Sequence, residues 1–161
     1  MSIVIRPASL PQDYARIAGV LADESPGWAA SADELAHEDA ERDPRYHHAT
    51  FVAEELDVSE PLMVGVGFVG HDTMAHQEGR FEINLRVRGA WRGRGVGQAL
   101  YDAILEHLVP LEPRELCAMV WQVHPRSARF LTERGFAEAW LRIDSNLDTT
   151  GFDFTPYRGR E

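Results

Sequence analysis

The chain has 161 residues, with 16 Lys or Arg against 26 Asp or Glu, so its formal net charge is −10 at pH 7. This balance argues against general nucleic-acid binding, which needs a basic surface to displace phosphate counterions. A hydrophobic share of 44% and a single cysteine favour one globular domain without an internal disulfide. We therefore expect a single domain over 1–161, with 145–161 as a tail of uncertain structure.

The sequence shows neither the long apolar run of a membrane-spanning helix nor the features of a signal peptide. No apolar run approaches 18 residues, and the first residues contain no signal-peptide hydrophobic region. The sequence therefore predicts a cytoplasmic protein with no membrane partner. The adjacent His47 and His48 lack the carboxylate or cysteine spacing that completes a metal site, so we predict no metal.

Hydrophobic periodicity predicts the elements in the order β-α-α-β-β-β-α-β-α-β. Strands are expected at 3–6, 50–54, 62–69, 81–87, 116–120 and 136–143, with room for one more. A first helix follows the spacing of Tyr14, Ile17 and Leu21, and a capping box of Ser31 and Glu34 opens a second. A third helix spans 96–108, and a fourth begins at Pro125.

These elements predict an α/β (α+β) fold with a mixed, mostly antiparallel central sheet of six to seven strands and helices on both faces. Hairpin connections dominate the first half of the chain, which makes the early strands antiparallel. The 96–108 helix is a crossover, so its two flanking strands should be parallel.

The hexapeptide Arg92–Gly97 is the most informative stretch, because three glycines separate a strand from a helix. Such a turn leaves backbone N–H groups free at the positive end of the helix dipole, which favours a phosphate group. The third glycine of a dinucleotide-binding fingerprint is missing, and a Walker loop would need a lysine. A glycine-rich turn that serves only to reverse the chain is the alternative interpretation.

The spacing R-x-x-G-x-G, formed by Arg92, Gly95 and Gly97, resembles the pyrophosphate-binding motif of the GNAT superfamily of N-acetyltransferases. The run from His124 to Gly135-Phe136 is similar to a second signature of that family. The start, Ile5 to Ala8, resembles its first strand, and the tail around Asn146 to Asp148 is similar to a segment that joins the halves of tandem members.

The resemblance implies that acetyl-CoA is a co-substrate and that the acetyl group moves to a primary amine by direct attack in a ternary complex. The acceptor would be a small-molecule amine or a protein amino group, and the acidic balance favours a cationic one. A homodimer stays open. The resemblance places the cofactor in a cleft where two parallel strands splay apart after Val87 and around Val120. Its implied cofactor-binding residues are Leu85, Arg86, Val87, Arg92, Gly93, Arg94, Gly95, Val96, Gly97, Gln98 and Ser127.

The resemblance also suggests catalytic residues. Glu82 lies on a strand where the family often keeps a carboxylate base. Strict alternation points its side chain to the face of the sheet opposite that of Ile83, and only a β-bulge would re-aim it. His124 is the second candidate, because a neutral imidazole accepts a proton near pH 7. Trp28, between the first two helices, is the candidate acceptor-binding residue.

One position departs from the family. Leu131 stands where the usual tyrosine donates a proton to the leaving thiolate, and leucine has no proton to give. A non-catalytic acyl-CoA-binding module or sensor is therefore the alternative to an enzyme. A fold with an empty pocket, used only for association, is a third hypothesis.

Overall fold

The computed structural model describes residues 2–24, 30–71, 76–121, 124–141, 143, 145 and 147–158. It divides into two compact units, Met1–Val120 and Trp121–Glu161. The first unit contains β1 (Ile3–Pro7), α1 (Tyr14–Glu24), α2 (Ala32–Ala40), β2 (His48–Glu55), β3 (Leu62–Gly70), β4 (Arg80–Val87), α3 (Val96–Leu108) and β5 (Glu115–Ala118). The second contains α4 (Pro125–Thr132). Short 3-10 turns span Gly89–Trp91, Val109–Leu111 and Thr155–Tyr157.

The sheet follows the order β1-β2-β3-β4-β5, so every strand lies beside its neighbour in sequence. The first four strands pair antiparallel, and β4 pairs with β5 in parallel across the α3 crossover. This confirms a mixed, mostly antiparallel sheet. Parallel neighbours need a long connection, and α3 provides it.

The expected strand count is wrong, because the described residues form five strands rather than six or seven. The described residues of the strand predicted over 136–143, which are 136–141 and 143, lie outside any strand. Trp140 is 63% exposed and Ile143 is 80% exposed. Alternating apolar residues become a strand only where a sheet edge offers hydrogen bonds, and the pattern of one segment cannot reveal whether such an edge is available.

The two faces of the sheet bury different helices. On one face, a Cβ at Gly65 would lie 3.1 Å from Leu100 Cδ1, and one at Gly67 would lie 3.0 Å from Ile104 Cδ1. The missing side chains let α3 approach the backbone of β3 closely. On the other face, Ile17 and Val20 of α1 pack with residues of β2 and β3, which are Val52, Met63 and Val66.

A buried ion network joins β1, α1 and β2. The Arg6 guanidinium binds Asp13 (Nη1 to Oδ2, 2.6 Å) and Glu54 (Nε to Oε2, 2.9 Å). Arg16 contacts the same two carboxylates, at 3.2 and 2.6 Å. Asp13 is 3% exposed and Glu54 is 7% exposed, so two guanidinium groups compensate two buried charges.

The second unit is organised around α4. Pro125 occupies the first turn of this helix, where its missing N–H has no cost. After the helix, Gly135 has a φ of 84°, and the Phe136 N–H returns to the Leu131 carbonyl at 3.2 Å. The left-handed glycine therefore lies just after the C-cap, Glu133, and turns the chain back over the last turn of the helix.

Candidate functional site

The sheet opens along one edge of β4. Parallel pairing with β5 runs from Arg80 opposite Glu115 to Ile83 opposite Ala118, and no further. The pairing of β4 with β3 continues to Val87. Among the residues that the structure describes, the stretch 84–87 therefore has a strand on one side only. The expected opening after Val87 and around Val120 is corrected to an earlier point, because β5 ends at Ala118.

Backbone groups alternate in direction along this open edge. The Arg88 N–H donates to the Val64 carbonyl at 2.9 Å, which sets the even-numbered residues of β4 toward β3. The N–H and C=O groups of Leu85 and Val87 therefore face the open side. Their carbonyls accept from guanidinium groups, Leu85 from Arg86 Nη1 at 3.2 Å and Val87 from Arg92 Nε at 3.0 Å.

The glycine turn leads directly from this edge into α3. Gly93 and Gly95 have φ values of 73° and 86°, a region that suits glycine. Gly95 is the N-cap of α3, and no side chain caps that end of the helix. The first intrahelical bond runs from the Ala99 N–H to the Gly95 carbonyl at 2.9 Å. An uncapped helix N-terminus thus lies next to the open edge of β4, and Val96, buried, anchors its first turn.

The arginines around the turn have different partners. Arg92 forms an ion pair with Glu24, at the end of α1, in addition to its bond with Val87. Arg88 forms an ion pair with Asp23 and donates from Nε to the Met63 carbonyl at 2.9 Å. Arg94 is exposed and forms no ion pair with any described residue. The guanidinium of Arg94 is therefore available to a ligand, whereas that of Arg92 binds protein groups.

The polar side chains of β4 lie on the face that α1 covers. Glu82, Asn84 and Arg86 stand opposite Gly70, Phe68 and Val66, without a register shift along β3. No bulge re-aims Glu82 within this pairing, so it stays on the face opposite Ile83. The Asn84 Oδ1 atom is buried without a hydrogen-bond partner, and burial lowers the pKa of the Arg86 guanidinium.

Sequence reasoning misses the side chains of Asn84 and Arg86 as functional candidates. A polar residue at every second position of a strand is typical of a solvent-facing side. Only the position of α1 over this face shows that the two residues are partly buried. The family resemblance implies a role for the backbone of Arg86, yet the N–H and C=O of this residue point to β3.

Of the remaining predicted residues, some lie in the second unit and others in the first turn of α3. His124 and Ser127 belong to the second unit and are exposed, and the His124 side chain does not cap α4 although it occupies the N-cap position. Trp28 lies outside the described residues. Gly97 and Gln98 are in the first turn of α3, where Gln98 Nε2 donates to Asp102 Oδ1 at 2.6 Å.

A histidine cluster occupies the opposite end of the sheet. The Nε2 atoms of His47 and His107 lie 2.9 Å apart, and the ring of His71 stacks on Phe81 with centroids 4.6 Å apart. Burial lowers the pKa of His47 and His71, and it lowers that of His48 to about 4. Within the described part of the chain, no group of three or more His, Cys, Asp or Glu is arranged to hold a metal ion.

The fold and the site define an α/β protein with a mixed sheet whose β4 edge is open beside an uncapped, glycine-led helix. The sequence profile of the acetyltransferase (GNAT) family matches residues 15–136. The chain therefore belongs to the GNAT acetyltransferase family. No curated protein sequence matches it significantly.

Solved structures share this fold. An acetyltransferase of Trypanosoma brucei is 19% identical with a TM-score of 0.69, covering 91% of this chain and 100% of its own. An aminoglycoside N-acetyltransferase, AAC(6′)-Iy, in complex with CoA is 18% identical, with a TM-score of 0.68 and coverage of 91% and 95%. Glucosamine-6-phosphate N-acetyltransferase from Arabidopsis thaliana is 13% identical, with a TM-score of 0.69 and coverage of 92% and 100%. At these identities, the similarity establishes the fold alone.

The helices of the described ranges differ from membrane spans in length and composition. None of them is both long enough and apolar enough to cross a bilayer.

Proposed function

We propose that this protein is an N-acetyltransferase that moves an acetyl group from acetyl-CoA to a primary amine by direct attack in a ternary complex. The observation that carries the proposal is the uncapped N-terminus of α3 beside the unpaired edge of β4. Membership of the family and a CoA complex of a protein with the same fold support it. No metal is needed for this chemistry.

The glycine turn and the open edge of β4 would bind different parts of acetyl-CoA. Backbone N–H groups over 93–98 face a diphosphate at the positive end of α3, and Arg94 adds a charge that no described carboxylate neutralises. Leu85 and Val87 offer the edge of β4 to an extended, amide-containing arm, in the manner of an added strand. The Val87 N–H is a candidate to stabilise negative charge that develops on the thioester oxygen.

In the transfer itself, the amine nitrogen forms a bond to the acetyl carbon while the bond from that carbon to sulfur breaks. The amine must lose a proton, for which Glu82 and His124 are the candidate bases. The thiolate that leaves takes up a proton. Since Leu131 stands at the usual donor position, solvent or another group must supply it.

The first experiment is a calorimetric titration with acetyl-CoA. We expect saturable binding by the wild type, and binding at least tenfold weaker for Gly97→Glu because a carboxylate would repel the diphosphate. No binding at millimolar acetyl-CoA would remove the proposal. Unchanged affinity in Gly97→Glu would place the diphosphate elsewhere.

The second candidate is a non-catalytic acyl-CoA-binding module or sensor, which Leu131 favours. The two functions differ in turnover, which is measured as the release of CoA thiol in the presence of a broad amine panel. Binding without turnover selects the module. If turnover occurs, Glu82→Gln and His124→Ala identify the base by the loss of kcat at unchanged acetyl-CoA affinity.

A further inference from the structure

Two side chains on the α1-covered face of β4 carry polar or charged groups that the described residues satisfy only in part. The Oδ1 atom of Asn84 is buried and accepts no hydrogen bond. The half-buried Arg86 donates from Nη1 to the Leu85 carbonyl at 3.2 Å but forms no ion pair with any residue that the structure describes. Buried polar groups are normally hydrogen-bonded and enclosed charges are normally paired, so both side chains point to an external partner.

The two side chains lie on one surface next to the open edge. Asn84 and Arg86 are two residues apart on β4, so they share a face with their Cα atoms roughly 6.8 Å apart. Their cross-strand neighbours, Phe68 and Val66, are apolar and offer them no hydrogen bond. Asn84 is the first residue beyond the end of the pairing with β5.

The arginines near Arg86 are ion-paired with carboxylates of the chain, whereas Arg86 has no such pair with a described residue. Arg88, the next residue on the same face, pairs with Asp23, and Arg92 pairs with Glu24. Acidic residues outnumber basic ones by 26 to 16 in this chain, yet none of the described carboxylates reaches Arg86. A guanidinium on the covered side of the sheet, without a carboxylate, is suited to an anion that arrives with a ligand.

We propose that Arg86 and Asn84 bind the acceptor, and that the acceptor is a primary amine that also carries a carboxylate, as an amino acid does. This inference rests on the proposed acetyl transfer. The planar guanidinium matches a carboxylate in two parallel hydrogen bonds, and the Asn84 Oδ1 accepts an N–H from the amine. The acidic charge of the whole chain favours a cationic acceptor, and the ammonium group of an amino acid meets that preference while its carboxylate pairs with Arg86.

The experiment compares the amino acids that carry a primary amine and no thiol, each with its own carboxamide, which keeps the amine and removes the negative charge. Thiol release from acetyl-CoA gives kcat/KM for both members of each pair. We expect the wild type to prefer the best amino acid over its amide at least tenfold, in line with a charge-assisted hydrogen-bonded pair. Arg86→Gln should abolish this preference by slowing the amino acid and leaving the amide within about threefold. Arg86→Lys should retain part of the preference.

The matched control is Arg45→Gln, which removes an exposed arginine that is ion-paired with Asp43. It should keep the wild-type preference. Equal use of acids and amides by the wild type, or a preference that survives Arg86→Gln, overturns the inference while leaving acetyl transfer intact.

Direct binding separates the two proposals. The protein saturated with CoA, and the protein alone, are titrated with the same amino acids and amides. Acid-selective binding that disappears in Arg86→Gln supports the site even if no turnover occurs and the proposed enzyme fails. If the acids bind no better than the amides, the site is wrong whether or not acetyl-CoA binds.

A stability measurement tests the same assignment without a ligand. Because Arg86 has no ion pair with a described residue to lose, Arg86→Met should leave Tm unchanged or raise it. A fall of more than about 5 °C would show that Arg86 is needed for the fold and would overturn its assignment to a ligand.

Discussion

The carboxylate of Glu24, at the end of α1, forms an ion pair with the guanidinium of Arg92, at the start of the glycine turn. The side chain of Glu24 is 6% exposed and that of Arg92 is 46% exposed. Since Arg92 also binds the Val87 carbonyl, one guanidinium joins α1, the end of β4 and the turn. Arg94, two residues away, has none of these contacts with the described residues.

This difference predicts that Arg92 contributes to the stability of the fold and that Arg94 does not. Arg92→Gln should lower the free energy of unfolding by about 2 kcal/mol, because it leaves the buried Glu24 carboxylate without its partner. Arg94→Gln should change it by less than about 0.5 kcal/mol. Urea denaturation measures both values.

Although Arg94 contributes little to stability, it should contribute to the binding of acetyl-CoA. We expect Arg94→Gln to weaken acetyl-CoA roughly threefold to tenfold at low salt, with a smaller effect at high salt because an exposed charge is screened. Calorimetry at two ionic strengths checks this. Equal losses of stability in the two variants would contradict the assignment.

A second prediction concerns the backbone of the glycine turn. Gly95 has a φ of 86° with open space where a Cβ would lie, whereas Gly89 has the same open space and no positive φ. Gly95→Ala should therefore cost about 1–2 kcal/mol of stability through backbone strain alone. Gly89→Ala should be neutral or slightly stabilising, since alanine reduces the entropy of the unfolded chain. Thermal unfolding compares the two, and a similar cost for both would argue against strain at Gly95.

The buried network around Arg6 gives a third prediction. Arg6→Ala should destabilise the protein by about 3 kcal/mol, because Asp13 and Glu54 would share Arg16 alone. Hydrogen bonding to Arg6 lowers the pKa of Asp13 to about 2, from an ordinary value of 3.8. A depressed carboxyl pKa stabilises the fold above pH 3.8, and that contribution is lost as the pH falls toward 2. Asp13→Asn should remove this part of the acid transition, and an unaltered transition below pH 3.8 would refute it.

A fourth prediction concerns the histidine at the start of β2. Burial lowers the pKa of His48 to about 4, from an ordinary value of 6.5. The unfolded chain therefore binds a proton more readily between these values, so stability is full above pH 6.5 and falls as the pH drops to 4. The loss should amount to about 2–3 kcal/mol.

The test variant is His48→Phe. The matched control is His37→Gln, which alters an exposed histidine of α2. We expect His48→Phe to flatten the stability profile between pH 6.5 and 4, measured by urea denaturation at several pH values. His37→Gln should retain the wild-type slope. The same slope in both variants would assign this pH dependence to other groups, such as His47 and His71, whose pKa values burial also lowers.

Much of this fold was predictable because its signals are local. The alternation over 81–87, the helical spacing over 96–108 and the Ser31–Glu34 capping box each describe contacts among near neighbours, and each matches an element of the structure. The three glycines likewise indicate a left-handed turn before a helix, because few other residues adopt that conformation. The alternation over 136–143 failed for the opposite reason, since a strand also needs a distant edge with which to pair.

The sequence by itself determined the order of the elements as far as α4, the parallel crossover and the glycine turn before α3, all of which follow from backbone geometry over a few residues. Tertiary structure alone decided which arginine is bound and which is available. Arg86, Arg92 and Arg94 are the same residue type. Glu24 reaches Arg92, no described carboxylate reaches the other two, and Arg86 is half-buried whereas Arg94 is exposed. Charge pairing depends on distance in space, which the spacing of residues along a chain does not encode.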